Sequence, residues 1–121
     1  MFIDHLVLTI TDLTRTESFY TAIFGPPSYQ TDHSVMYQID QTMLFLQVPE
    51  NVVPDRFNPH RVGLDHVAFN IPTVDELTDV ARLLDAASIK HSGIHIDKHS
   101  GKEKIWLDDP DGIRLEFFIR A

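Results

Sequence analysis

One internal repeat limits the possible folds of this chain more than any other feature of its sequence. The stretch DHLVLTITDL, residues 4–13, returns about half a chain later as DHVAFNIPTV, residues 65–74. Each copy alternates in the way of a half-buried β-strand and is followed by sequence with helical periodicity. We therefore expect the same supersecondary unit to occur twice.

The rest of each half repeats the plan as well. Three short extended runs follow each predicted helix, at 28–31, 34–40 and 42–48 in the first half and at 90–94, 103–107 and 113–119 in the second. Helix starts are predicted at Thr14 and Thr73, which have a glutamate three residues on as in a capping box, and Gly25 with two prolines ends the first helix. The order is βαβββ twice, an α+β class, with a proline-rich connector at 49–63 between module 1 (about 1–48) and module 2 (about 64–121).

The amino-acid composition argues against several classes of function. The formal net charge of −8 leaves no excess of lysine and arginine for a nucleic-acid backbone. The chain contains no cysteine, so histidine and carboxylate are the strong metal ligands that remain. No apolar stretch approaches the ~20 residues of a membrane span, and we expect a cytoplasmic protein of one domain, residues 1–121.

Three side chains are candidates for a metal site. His5 and His66 open the two repeated strands, and the period of two places them on the face opposite the predicted helix. Glu116 falls on the corresponding face of the last strand, because Leu115 and Phe117 take the helix side. A lone histidine is usually structural, but two at the same repeat position with a carboxylate form a set suited to a divalent ion.

The stretches DHLVLTITDL, GLDHVAFNI and DDPDGIRLEF together resemble the vicinal oxygen chelate superfamily, over essentially the whole chain. That superfamily includes glyoxalase I, fosfomycin-modifying thiol transferases, extradiol dioxygenases and metal-free bleomycin-resistance proteins. The resemblance implies that the two modules form a cupped mixed sheet. It also implies one divalent ion per site, Zn, Ni, Mn or Fe, held by His5, His66 and Glu116, with Glu116 as the catalytic carboxylate. Many members are homodimers in which His5 of one subunit would join the other two ligands.

The sequence departs from glyoxalase I at one expected ligand. The last strand of the first module, TMLFLQV, turns Met43, Phe45 and Gln47 toward the expected cavity, where glyoxalase I has a glutamate. Gln47 could coordinate weakly through its amide or take part in a proton network. The substrate cavity is expected to be lined by six side chains: Thr9, Phe45, Gln47, Asn70, Trp106 and Phe118. A histidine-rich segment at 91–99 is interpreted as a solvated or gating loop rather than a second metal site.

The resemblance implies a metal-dependent enzyme that acts on a small substrate through two chelated oxygens, with lyase- or isomerase-like chemistry favoured. Two alternatives stay open at this stage. One is a metal-free protein of the bleomycin-resistance type that sequesters a ligand, and the other is an Fe(II) dioxygenase. No nucleic-acid or membrane partner is expected.

Overall fold

The computed structural model describes residues 1–120, and the βαβββ order occurs twice in them. The first set is β1 (His5–Thr9), α1 (Leu13–Phe24), β2 (Tyr29–Gln30), β3 (Ser34–Ile39) and β4 (Thr42–Gln47). The second set is β5 (His66–Ile71), α2 (Val74–Ala86), β6 (His95–Ile96), β7 (Glu103–Asp108) and β8 (Arg114–Ile119). The chain divides into two compact units, a first unit of Met1–Asp55 and a second unit that begins at Arg56. The α+β class expected from the repeat is confirmed.

Each unit contains one four-stranded mixed sheet. The strand orders are β1-β4-β3-β2 and β5-β8-β7-β6, so the first and last strands of each set are neighbours. Those two neighbours run parallel, and every other pair is antiparallel. A parallel pair needs a crossover connection, which α1 and α2 begin in their respective units.

One face of each sheet is buried against its helix. In the first unit this core comprises Leu8, Ile10, Tyr20, Val35, Tyr37, Leu44 and Leu46. In the second it comprises Leu77, Leu84, Ile105, Leu107, Leu115, Phe117 and Ile119. The alternation of strand side chains then turns His5, His66 and Glu116 toward the other face, as the sequence predicts.

The two helices begin differently. Thr73 is the N-cap of α2, as predicted, and its hydroxyl accepts a hydrogen bond from the backbone N–H of Glu76 at 3.2 Å. The predicted start at Thr14 was wrong, because Asp12 is the N-cap of α1 and accepts from the N–H of Arg15 at 2.9 Å. Asp12 has extended backbone angles and a carboxylate within reach of the first turn, so it takes the cap before Thr14 can. Within residues 1–120, no helix is both long and apolar enough to cross a membrane.

The strand predicted at 90–94 was also wrong, since β6 comprises only His95–Ile96. Gly93 lies in this segment with φ of 75°, which interrupts an extended run. Ser92 still contacts β7 through two hydrogen bonds: its N–H donates to the carbonyl of Trp106 at 2.9 Å, and its hydroxyl accepts from the N–H of Trp106 at 3.0 Å.

The turn between β7 and β8 fixes the start of the strand that carries Glu116. The buried carboxylate of Asp109 accepts from the backbone N–H groups of Asp111 and Ile113, both at 2.9 Å. Gly112 has φ of 86°, and a Cβ there would lie 3.2 Å from the guanidinium of Arg56. The turn therefore favours glycine through its backbone conformation, and the guanidinium of Arg56 packs closely over it.

Candidate metal centre

His66 and Glu116 lie on neighbouring parallel strands, β5 and β8, and their side chains approach each other on the face away from α2. The distance from His66 Nε2 to Glu116 Oε2 is 3.5 Å. Two ligand bonds of about 2.1 Å at a near-tetrahedral angle place their donor atoms about 3.4 Å apart. The separation of these two atoms is therefore close to that of two ligands bound to one divalent ion.

The other ring nitrogen of His66 is already engaged. Nδ1 lies 2.7 Å from Asp65 Oδ1, a distance typical of a hydrogen bond to a carboxylate. A neutral imidazole that donates its proton from Nδ1 leaves the lone pair on Nε2, the nitrogen that faces Glu116. Asp65 thus orients His66 in the form that a metal ligand requires.

The first unit repeats this arrangement at His5. Its Nδ1 lies 2.7 Å from Asp4 Oδ2, and its ring meets the ring of Phe45 edge-on with centroids 5.9 Å apart. The side chain of His5 is about half exposed, at 53%. When Nδ1 of His5 carries the proton, the lone pair is on Nε2, the nitrogen that can bind a metal, as in His66.

Glu116 has a second partner within its own unit. Its Oε1 accepts a hydrogen bond from Lys104 Nζ at 3.1 Å, and Lys104 also pairs with Asp97 Oδ1 at 3.2 Å. All three side chains are largely buried, with exposures of 18% for Lys104 and 11% for each carboxylate. Burial alone would lower the pKa of Lys104, but hydrogen bonds and charge from Glu116 and Asp97 outweigh it and the pKa is raised.

Asp97 is held in turn by its own loop. The backbone N–H of Ser100 donates to Asp97 Oδ2 at 2.9 Å, and this bond is the main reason that the pKa of Asp97 is lowered to about 2. Burial opposes the shift, while Ser100 and Lys104 reinforce it. Asp97 and Lys104 are therefore both ionised at neutral pH, and a charged pair contacts Glu116.

A cavity of about 320 Å³ opens beside these residues in the second unit. Its lining comprises His66, Ala68, Phe69, Asn70, Asp97, His99, Lys104, Glu116, Phe118 and Arg120. Two expected cavity residues, Asn70 and Phe118, are among them. Trp106 is not, because its ring packs against the guanidinium of Arg114, 3.8 Å from the ring centroid.

The remaining expected cavity residues belong to the first unit. Thr9 pairs with Gln47 in the register of β1 and β4, and Val7 pairs with Phe45, so all four lie on the sheet face of His5. By the same register, Phe45 is the counterpart of Glu116, which pairs with Ala68 two residues after His66. Gln47 lies two residues after Phe45 on β4, and Thr9 is its register partner on β1.

The three histidines of the 91–99 segment make different contacts. His91 Nε2 lies 2.7 Å from Asp85 Oδ1, His95 Nδ1 lies 3.1 Å from the carbonyl of Gly93, and only His99 lines the cavity. Across residues 1–120, no three or more histidine, aspartate or glutamate side chains are grouped closely enough to hold a metal ion. The structure brings His66 and Glu116 together, and His5 belongs to the other unit.

Four polar residues beside the candidate ligands were not predicted from the sequence as site residues: Asp4 in the first unit, and Asp65, Asp97 and Lys104 in the second. The two Asp-His pairs carried a signal, because the same dipeptide opens both repeats. Lys104 could also have been placed beside Glu116 by the period of two along β7 and β8. Asp97 carried no comparable signal, since its position depends on the conformation of a loop.

Each unit therefore has one four-stranded mixed sheet whose first strand follows or begins with an Asp-His pair. The model of the Glyoxalase/Bleomycin resistance protein/Dioxygenase superfamily matches residues 2–117, and the chain belongs to this family.

Individual relatives are distant in sequence. The metallothiol transferase FosB of Lysinibacillus sphaericus (strain C3-41) is 27% identical, over 95% of this chain and 79% of that protein. The crystal structure of lactoylglutathione lyase from Agrobacterium tumefaciens is 25% identical with a TM-score of 0.75, over 97% of this chain and 92% of that one. A glyoxalase/bleomycin resistance/dioxygenase domain from Frankia sp. EAN1pec has a TM-score of 0.83 at 20% identity, over 100% of this chain and 98% of that one.

Proposed function

We propose that the protein is a divalent-metal-dependent enzyme that acts on a small oxygen-chelating substrate, with His5, His66 and Glu116 as the metal ligands. The observation that carries this proposal is the 3.5 Å separation of His66 Nε2 and Glu116 Oε2, with Nδ1 of His66 turned to Asp65. His5, paired with Asp4 in the same way, is the third ligand. We propose that a homodimer supplies it from the other subunit.

The chain's own residues suit such a substrate. A bound divalent ion would act as a Lewis acid toward two adjacent oxygens of the substrate. Asn70 and Phe118 offer an amide and an aromatic wall beside the two ligands, and both line the cavity. Lys104 holds the second oxygen of Glu116, so that Oε2 is the oxygen left for the metal. We expect Zn, Ni, Mn or Fe, because two imidazoles and a carboxylate accept each of them.

Phe45 narrows the reactions that the site supports. In the register of β1 and β4, this apolar ring holds the position that Glu116 holds in the second unit, so the first unit offers no carboxylate there. An isomerase that needs such a carboxylate as its base would lack it here, whereas addition to an activated substrate needs only the ion and a nucleophile. We therefore propose lyase- or transferase-like addition, and the similarity to a metallothiol transferase supports this choice.

A second candidate function is ligand sequestration without a metal. It is favoured by one contact, because Lys104 Nζ neutralises Glu116 at 3.1 Å and so gives the carboxylate a partner in the absence of an ion. The cavity beside it would then bind a ligand through Phe118 and Asn70 alone. This candidate predicts that ligand binding is independent of metal.

The metal content of untagged protein, purified without chelator or metal-affinity resin, separates the two candidates. We expect about one divalent ion per chain in the wild type, and a loss in both His66→Ala and Glu116→Ala, because each removes one of three ligands. The control is His60→Ala, which removes an exposed histidine of the connector. Wild-type protein that contains no ion and takes up none on titration with Mn²⁺, Fe²⁺, Ni²⁺ or Zn²⁺ would favour the sequestering function.

A further inference from the structure

We propose that Lys104 is a positioning residue that links the candidate metal ligand Glu116 to the loop between β6 and β7, residues 97–102. Through this link, an ion bound by Glu116 holds the loop more tightly, and the loop in turn favours binding of the ion. The proposal rests on the metal-dependent function proposed above. It adds a connection between the metal ligands and one wall of the cavity, which the ligand set alone does not imply.

One lysine is shared by two carboxylates. Lys104 Nζ lies 3.1 Å from Glu116 Oε1 and 3.2 Å from Asp97 Oδ1. All three side chains are largely buried, so solvent screens their charges only weakly. A single positive charge is therefore divided between two negative charges, and a loss of charge on one carboxylate strengthens the contact with the other.

The conformation of the loop depends on Asp97. Its Oδ2 accepts from the backbone N–H of Ser100 at 2.9 Å, and its carbonyl accepts from the N–H of Gly101 at 2.8 Å. The N–H of Asp97 donates to the carbonyl of Lys102, also at 2.8 Å. His99 belongs to the same loop and lines the cavity. Whatever fixes Asp97 therefore also fixes this wall of the cavity.

The direction of the coupling follows from the charges. When Glu116 binds a divalent ion, it shares its negative charge with that ion and attracts Lys104 less strongly. Asp97 is then the stronger partner of Lys104, and the loop that Asp97 holds loses freedom. Because coupling between two equilibria is reciprocal, Asp97 also favours binding of the ion, since it draws Lys104 away from Glu116.

The first unit shows that a sheet of this plan does not need such a link. In the register of its strands, Ser34 holds the position of Lys104, and Phe45 holds that of Glu116. A buried ion pair is in general weak evidence for stability, because removal of its charges from water offsets their attraction. The shared lysine of the second unit is therefore better explained by the site than by the fold.

The first test is calorimetric titration with Mn²⁺ of four proteins: the wild type, Asp97→Asn, Lys104→Met and the double variant. Asp97→Asn should weaken binding by about tenfold, because Lys104 is then left to Glu116 alone. In the Lys104→Met background the same substitution should have an effect at least about fivefold smaller. A direct attraction between Asp97 and the ion does not require Lys104, so equal effects in the two backgrounds would refute the link.

Two further variants control the titration. Lys102→Met removes an exposed lysine two residues away and should change the affinity by less than about twofold. Lys104→Gln retains hydrogen-bond donors but no charge, and it replaces Lys104→Met if circular dichroism shows that variant to be unfolded. The expectation is the same for both, because neither has a charge to divide between the two carboxylates.

The second test is hydrogen exchange, followed by mass spectrometry of the peptide that contains residues 97–102. Mn²⁺ should slow exchange of this loop by about threefold or more in the wild type and leave it unchanged in Lys104→Met. His99→Ala should keep the slowing. If the slowing persists in Lys104→Met and is lost in His99→Ala, His99 holds the loop by contact with the ion, and the role of Lys104 is refuted.

The two proposals fail in different ways. A wild type that does not bind Mn²⁺ would refute the metal site and the link together. A wild type that binds Mn²⁺ without slower exchange of residues 97–102 would refute only the link.

Discussion

The two units share a backbone plan and differ in what their open sheet faces carry. Both begin with an Asp-His pair whose side chains meet at 2.7 Å, and both set the first strand parallel to the last. At the position where β8 of the second unit has Glu116, β4 of the first unit has Phe45. At the position of Lys104 in the second unit, the register places Ser34 in the first.

This difference distinguishes the residues that form the core of each unit from the residues that line the candidate site. The buried faces of both sheets are apolar in the same alternating pattern, so each unit can form a core in the same way. The open faces are not under that constraint, and only the second carries a buried cluster of opposite charges. The first unit therefore carries one candidate ligand, His5, whereas the second carries His66, Glu116 and the lysine that pairs with Glu116.

The largest expected effect is the recovery of bound metal when two variants that each lack it are mixed. This experiment tests whether one metal site takes its ligands from two subunits. His5→Ala and Glu116→Ala should each lose the bound ion. If His5 comes from the other subunit, a mixed dimer contains one intact site, and random re-association should restore metal to about one quarter of all sites. The measurement is metal content after the two proteins are unfolded and refolded together.

Two controls accompany the mixing experiment. Each variant refolded alone should remain without metal, and the wild type treated in the same way should recover its full content. Native mass spectrometry shows whether mixed dimers have formed. If they have formed and the mixture still contains no metal, the site is not shared between subunits. The two units that hold one ion would then have to belong to the same chain.

The turns that join the last two strands of each unit should differ next in stability. Asp109→Ala removes a buried carboxylate that accepts from two backbone N–H groups, and it should cost about 3 kcal/mol in the free energy of unfolding. The matched turn of the first unit has Asp40, an exposed residue with φ of 53°. Asp40→Gly should change stability by less than about 1 kcal/mol, because glycine adopts this conformation without strain.

Urea denaturation followed by circular dichroism measures both turn variants. A loss in Asp109→Ala as small as that in Asp40→Gly would show that the backbone of the second turn keeps its conformation without the carboxylate.

The Asp-His pairs should have equal effects in the two units. Asp4→Ala and Asp65→Ala each remove the carboxylate that holds Nδ1 of a ligand histidine, and each should weaken metal binding by about 10- to 100-fold. Titration with Mn²⁺ measures the affinity, and Asp79→Ala on the exposed side of α2 is a control for the loss of one negative charge. If only Asp65→Ala weakens metal binding strongly, His5 and His66 are not equivalent metal ligands.

The sequence predicts the parts of this molecule that periodicity controls. The repeat, the βαβββ order and the faces of β1, β4, β5 and β8 follow from alternation of side chains, and the structure agrees with them. The strand predicted at 90–94 and the helix start predicted at Thr14 were wrong, because Gly93 and Asp12 act through local backbone conformation. Contacts such as Lys104 with Asp97 join a strand to a loop, and no sequence period reports them.

The smallest expected effect concerns acid, and it compares the hairpins that precede β3 and β7. In the first unit, the hydroxyl of Thr31 accepts from the N–H groups of His33 and Ser34, both at 3.1 Å. In the second, the carboxylate of Asp97 accepts from the N–H of Ser100 at 2.9 Å. A hydroxyl does not titrate in acid, whereas a carboxylate does, so of these two contacts only that of Asp97 should depend on pH.

The direction of the acid response follows from the pKa of Asp97, which falls from 3.8 to about 2 on folding, chiefly through the Ser100 N–H. A folded-state pKa below the unfolded value means that the carboxylate stabilises the fold above about pH 4, and that this contribution is lost as the pH falls through about 2. Asp97→Asn should therefore lower the melting temperature at pH 6 and converge with the wild type near pH 2. Thr31→Val should lower it by the same amount at every pH. A constant difference between Asp97→Asn and the wild type across the range would mean that the loop holds Asp97 by packing and not by its charge.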